Sequence, residues 1–175
     1  MSKNAFFLMP RPPFRLDLTV WTLRRRPDNI VDRWDGETYR RALPLPVGPV
    51  EVAVTQMGPP EVPQLRVTVH GAPLGSEVRH AVTAALERLL GLRTEMAAFY
   101  RLAFLDPELG PLVQRFRGMK PPRFTSVFES VIDDKAVRLI LARWRPYGGL
   151  VYFHLLLDRL AEAGFLGNPI AIPVV

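Results

Sequence analysis

The apolar pattern of this chain changes period once along its length. Residues 14–21, Phe-Arg-Leu-Asp-Leu-Thr-Val-Trp, alternate apolar with polar side chains, the period-two signature of a half-buried strand. Residues 50–56 alternate more cleanly, with Val50, Val52 and Val54 on one face, and residues 65–69 alternate again before Gly71. Residues 34–37 read as a turn and 38–42 as a further strand. Pro44, Pro46, Gly48 and Pro49 forbid a helix in between. The connections are too short for helical crossovers, so two or three of these segments form an antiparallel meander.

From Val78 onward the spacing is helical. Val78, Val82, Leu86, Leu89 and Leu90 share a face, and Gly91 is a good stop. Met96, Phe99, Tyr100 and Ala103 suggest a second helix. Asp106-Pro107-Glu108 is a strong third start: an N-cap, a proline at the first helical position and a carboxylate on the positive helix end. Leu109, Leu112, Val113 and Phe116 form its stripe, and Gly118 closes it. A helix is predicted over 124–132, with Val127, Phe128 and Val131 on one side. Another is capped by Asp133-Asp134 and carries Val137, Ile140 and Leu141. Residues 150–163 are apolar on nearly every side, as in the middle of a bundle. The tail 167–175 suggests an extended segment. The fold class is α+β.

Composition narrows the functions. The chain has 175 residues, 48% of them apolar, and a mean hydropathy of +0.07, which fits one domain or a domain plus an incomplete second. No window of about 18 apolar residues is free of charge, so no membrane span is expected. The apolar stretch 5–10 is too short for a signal peptide. The absence of cysteine excludes disulfides, thiolate metal sites and cysteine nucleophiles, and suits a cytoplasmic protein. His70, His80 and His154 are scattered, and no spacing suggests a metal. No phosphate-cradling glycine loop, dinucleotide fingerprint or Ser-His-Asp set is present, so no cofactor is expected. The net charge is +6, and 20 of the 23 basic residues are arginine. Arginine favours bidentate phosphate contact, which points to nucleic acid; a compositional bias of the source genome reads equally well.

Several residues carry both a sharp and a bland reading. Arg115, Arg117, Lys120 and Arg123 are phosphate contacts or a solvated helix end, where cations are favoured anyway. Trp144 and Tyr147 stack on a base or pack the bundle. Asp134 is a catalytic carboxylate or, like Asp133, a helix cap. His154, in an apolar helix, reads as a core histidine rather than a ligand.

Two stretches decide between these readings. Residues 108–129 contain Leu-Val-Gln-Arg-Phe-Arg-Gly-Met-Lys-Pro-Pro-Arg-Phe followed by Phe128-Glu129; residues 133–157 run from Asp-Asp-Lys-Ala-Val-Arg through Arg-Trp-Arg-Pro-Tyr-Gly-Gly. Together they resemble the helix-hairpin-helix DNA glycosylases, most closely the alkylation-repair (3-methyladenine DNA glycosylase II) type. The resemblance implies an N-terminal antiparallel sheet with helices, similar to a TATA-binding-protein repeat, and then a helical domain. It makes Asp134 the catalytic residue and Arg143-Trp144-Arg145-Pro146-Tyr147 the motif opening the final helix. Arg115, Arg117, Lys120, Arg123, Arg143 and Arg145 become DNA contacts, with duplex DNA as the partner. The implied reaction is base excision: hydrolysis of the N-glycosidic bond of an alkylated base. A fixed carboxylate would stabilise the positive charge that develops on the sugar, after the base is flipped from the duplex.

This sequence departs from the family in its middle. The Leu-Pro-Gly-type hairpin and the Gln-Gln-Val-Ser region are missing, which places an internal deletion near 131–133; the change of period gives a sheet-plus-helix domain, 1–91, and a reduced helical domain, 92–175, that contains it. Loss of the hairpin would cripple base release. The different reading is a non-catalytic DNA-binding or protein-interaction module. The apolar helix 150–163 then needs cover. It can repack within the chain, form a homodimer or aggregate, and the first two are favoured.

Overall fold

The computed structural model describes residues 4–25, 29–123 and 141–166. Its elements in chain order are β1 (Ala5–Leu8), α1 (Leu16–Arg24), β2 (Arg33–Trp34), β3 (Thr38–Leu45), β4 (Gly48–Gln56), β5 (Leu65–His70), α2 (Ser76–Leu89), α3 (Ala97–Phe104), α4 (Leu109–Arg115), a 3-10 turn (Ala142–Trp144) and α5 (Gly148–Glu162). The architecture is α+β, as the change of period predicts. The predicted helix over 124–132, the caps Asp133 and Asp134, the face of Val137 and Ile140, and the tail 167–175 lie outside the described residues. None of the described helices is long and apolar enough to cross a membrane.

The chain forms two compact units, Met1–Glu95 with Gly118–Ile132, and Met96–Arg117 with Asp133–Val175. The first is built on a five-stranded antiparallel sheet in the order β1-β5-β4-β3-β2. Alternation explains its faces. Val50, Val52 and Val54 of β4 lie inward with Leu65, Val67 and Val69 of β5, all buried, while Glu51, Ala53 and Thr55 point to the other side. Leu16, Val20 and Leu23 of α1 and Val78, Val82 and Leu86 of α2 complete this core. Burial of each such side chain contributes about 1.5–3 kcal/mol, so the sheet face and its two helices carry most of this unit's stability.

Residues 14–21 are the chief correction. The predicted strand is the helix α1, in which Leu16, Leu18, Thr19, Val20, Trp21, Thr22 and Leu23 are all buried. A helix covered on nearly every side has no solvent face to impose a period, so the alternation of Leu16, Leu18 and Val20 is incidental. Its polar residues are satisfied locally: Thr19 Oγ1 donates to the Arg15 carbonyl (2.8 Å) and Thr22 Oγ1 to the Thr19 carbonyl (2.7 Å). Gln56 receives the helix start, accepting from the Leu16 N–H at 2.8 Å and donating to the Phe14 carbonyl at 3.1 Å. The edge strands β1 and β2 have four and two residues, too short for a periodic signal.

A buried polar cluster closes this unit on the β2–β3 side of the sheet. Asp32 Oδ1 accepts from the Tyr39 hydroxyl at 2.7 Å and from Arg41 Nη1 at 2.9 Å, and all three residues are buried. Asn29 Oδ1 accepts from the Val31 and Asp32 N–H groups, fixing the loop that delivers the carboxylate.

The second unit packs Met96, Phe99, Ala103, Leu109, Val113, Leu141 and Val151 into a separate core. α4 begins at Leu109, two residues after the predicted Pro107, and Asp106 holds the turn that leads into it: its Oδ1 accepts from the Glu108 and Leu109 N–H groups at 2.9 and 3.0 Å. Val151, Phe153, His154, Leu157 and Leu160 of α5 are buried, so this helix finds most of its cover within the chain. Among the described residues of this unit, the apolar side chains left most open are instead Phe104 and Leu105, 86% and 81% exposed, at the end of α3.

Candidate nucleic-acid interface

The six cations singled out in the sequence meet three fates. Arg115 and Arg143 are held by carboxylates. Arg115 Nη1 lies 2.5 Å from Asp158 Oδ1, which joins the end of α4 to α5. Arg143 Nη2 lies 2.9 Å from Glu108 Oε2 and 3.5 Å from Asp106 Oδ2, and its guanidinium stands 4.3 Å from the centre of the Trp144 ring.

Lys120 is fully buried. Its backbone N–H donates to Thr19 Oγ1 at 3.1 Å and its ammonium to the Thr94 carbonyl at 2.9 Å. Burial pulls its pKa down to about 8, against the partial support of Glu95. This lysine therefore ties the segment after Gly118 to α1 and to the loop after α2, and presents no ammonium to a surface. Gly91 makes that approach possible: it has φ +60°, and a Cβ there would stand 2.7 Å from the Pro121 carbonyl oxygen.

Arg117, Arg123 and Arg145 are the open members. All three are exposed, and none has an acidic partner among the described residues. Arg117 rests over the Tyr100 ring, 5.0 Å from its centre.

Trp144 and Tyr147 both pack against the core of the helical unit. Trp144 Nε1 donates to Asp106 Oδ2 at 2.9 Å, and Tyr147 lies 5.5 Å from the Phe99 ring. Asp106 is consequently a stronger anchor than its capping role suggested. The indole N–H first, then the Leu109 N–H, hold its carboxyl down to about 2. Its link to Trp144 spans 38 positions, and no local signal in the sequence announces it. Asp134, the candidate catalytic residue, lies outside the described residues, and so does the position of the expected deletion. Among the described residues, no cluster of His, Asp and Glu could hold a metal.

A five-stranded antiparallel sheet with helices packed on it makes this an α+β protein. Residues 5–126 match the model of the AlkA N-terminal domain family, and the chain belongs to that family. The fold is similar to that of the 3-methyladenine DNA glycosylase of Archaeoglobus fulgidus, with a TM-score of 0.53 and 20% identity; the likeness covers 90% of this chain and 50% of that one. A stretch of 100 residues is 35% identical to the "Putative cysteine ligase BshC" of Solibacter usitatus, covering 55% of this chain and 18% of that protein. The chain thus spans half the length of the glycosylase it resembles and about a fifth of the ligase.

Proposed function

We propose that this chain is a reduced glycosylase-like protein of the alkylation-repair type that engages duplex DNA. The match of residues 5–126 to the AlkA N-terminal domain carries this reading. The chemistry its lineage implies is hydrolysis of the bond between an alkylated base and deoxyribose, with Asp134 as the acid-side residue and no metal. A deletion near 131–133 would remove the hairpin that grips the DNA backbone, so the retained activity is binding rather than base release. The reaction in the ligase's name is not carried over, because only 18% of that protein is matched.

Arg117, Arg123 and Arg145 are the contacts this proposal assigns to phosphate. Three neutralised phosphates give a slope of about −3 in log K against log salt on duplex DNA. The test compares the chain with Asp134→Asn on alkylated duplex DNA, measuring affinity at several salt concentrations and release of 3-methyladenine. The expected result is salt-dependent binding by both proteins and release by neither. Release that disappears in Asp134→Asn would assign the full reaction to this chain. Undetectable binding at low salt would overturn the DNA reading. It would favour the protein-interaction module instead, for which the exposed Phe104 and Leu105 are the specific observation.

A further inference from the structure

His154 is the one histidine of the chain that is buried; His70 and His80 are exposed. It sits on α5 with its ring 5.3 Å from that of Phe99 on α3 and 6.4 Å, edge-on, from that of Phe116 just after α4. Nδ1 lies 2.7 Å from the Leu150 carbonyl oxygen, which can only accept, so Nδ1 carries the proton of the neutral ring. Nε2 is then a bare lone pair, and it has no hydrogen-bond partner. In this position the neutral ring fits an apolar core. The imidazolium does not: protonation puts a charge and a new N–H donor at Nε2, where no acceptor waits among the described residues.

The charged groups on the surrounding elements do not relieve this. On α5, Asp158 is one turn away, and its Oδ1 lies 2.5 Å from Arg115 of α4. Arg159 and Glu162 lie further along α5, and His154 itself accounts for that helix's remaining buried ionisable group. On α3, Arg101 is exposed, and Arg117 beyond Phe116 rests over Tyr100. In the 3-10 turn, Arg143 is bound to Glu108 and Asp106. No described carboxylate approaches the ring.

We propose that the helical unit carries an acid-sensitive latch: protonation of His154 at Nε2 drives α5 off Phe99 and Phe116 and opens this unit while the sheet unit stays folded. The ring can reach water only if α5 moves, and Leu157 and Leu160 of the same helix leave their cover with it. Burial pulls the ring's pKa down to about 4 from its ordinary 6.5, with the Leu150 carbonyl opposing in part. The sign follows from proton counting. Between those values the open state binds a proton that the closed state refuses, so opening is favoured as pH falls. From pH 8 to pH 5 the opening constant should rise about 30-fold. That range stays above the region where Asp106, held down to about 2, begins to titrate.

Hydrogen exchange of the full chain, corrected for the intrinsic pH dependence of exchange, reads this directly. Peptides from α3 and α5 should lose protection about 30-fold between pH 8 and pH 5, while those from β4 and β5 hold theirs. In His154→Leu the α5 peptides should keep their protection across the same range. If that variant does not fold, His154→Gln supplies a polar side chain that likewise does not titrate. The ring's own NMR titration in the unaltered protein gives a further check, as it should remain neutral with Nδ1–H at pH 5 in the closed form. A flat profile in the unaltered protein, an equal loss in the sheet unit, or the same loss in a variant without His154 overturns the proposal.

Discussion

Alkaline pH should stabilise the sheet unit, and Lys120 is the reason. Its ammonium is fully buried and donates to one carbonyl, that of Thr94. Burial holds its pKa at about 8, below the ordinary 10.5. Below pH 8 both folded and unfolded chains keep the proton, and stability lies on its lower plateau. Between 8 and 10.5 only the unfolded chain keeps it, so stability rises with pH. At about 1.4 kcal/mol per decade, the gap sets an upper bound of about 3.5 kcal/mol, most of it gained by pH 10. Tyr39 acts in the opposite sense further up. Burial first, and then the Asp32 carboxylate, raise its phenol well above 10, so its contribution fades as pH climbs past 10. The expected profile is a rise from pH 8, a maximum near pH 10 and a decline beyond.

The chain suits this measurement because only three of its 23 basic residues are lysine. Urea denaturation from pH 7 to 11, followed through the strand signal in the far ultraviolet, gives the profile. Lys120→Met replaces the ammonium with an apolar chain of similar length. Its stability should be flat from pH 8 to 10 and, at pH 7, within about 1 kcal/mol of the unaltered protein, because a lost hydrogen bond and a removed buried charge oppose each other. A profile in the unaltered protein that is flat or falling between pH 8 and 10 would refute the reasoning.

Other substitutions test the remaining parts of the fold. Asp32→Leu leaves Arg41 and the Tyr39 hydroxyl buried without their shared carboxylate and should cost about 3–5 kcal/mol in urea titrations at pH 7. Leu86→Ala, at a fully buried position of α2, should cost about 2–5 kcal/mol in the same assay, against a few tenths for an exposed change such as Glu77→Ala. Gly91→Ala forces a Cβ into a left-handed backbone and toward the Pro121 oxygen, and should lower stability by more than about 1 kcal/mol; Gly164→Ala, also at positive φ but with open space around its Cβ, should cost less. Alanine at Arg117, Arg123 and Arg145 together should remove most of the salt dependence of DNA affinity, measured by fluorescence anisotropy, whereas alanine at Arg115 should change it little.

What could be read from the sequence follows the reach of each signal. β4 and β5 have one wet face, so their alternation is faithful, and Gly91 and Asp106 act within one turn, where local rules hold. α1 defeats the same reasoning because the fold covers it on nearly every side. The resemblance carried by phrases around residues 108–157 pointed to the family whose model residues 5–126 match, which periodicity alone could not. Side-chain partners were the hardest part. Arg115 and Asp158 are 43 positions apart, and Lys120 and Thr94 are 26 apart. Until the chain is folded, nothing separates a cation that a duplex can reach from one already committed.

That separation changes what the net charge of +6 means. Arg11, Arg15, Arg33, Arg40, Arg41, Arg93, Arg115 and Arg143 each face a carboxylate within ion-pair distance. Apart from the buried Arg41–Asp32 pair, these pairs are open to solvent and weak, about 0–1 kcal/mol, so a phosphate could displace some of the carboxylates at little cost. Arg143 is the exception among the DNA candidates. Its guanidinium lies over Trp144 and between two carboxylates, one of which also binds the indole N–H and caps α4. A phosphate approaching Arg143 would meet Asp106, which the fold keeps ionised, and would have to break the Trp144 anchor to move it aside. The exposed arginines outside these pairs are therefore open to a polyanion at once, exposed pairs open at a small cost and Arg143 does not, and clusters of basic letters in the sequence are a poor guide to where DNA would lie.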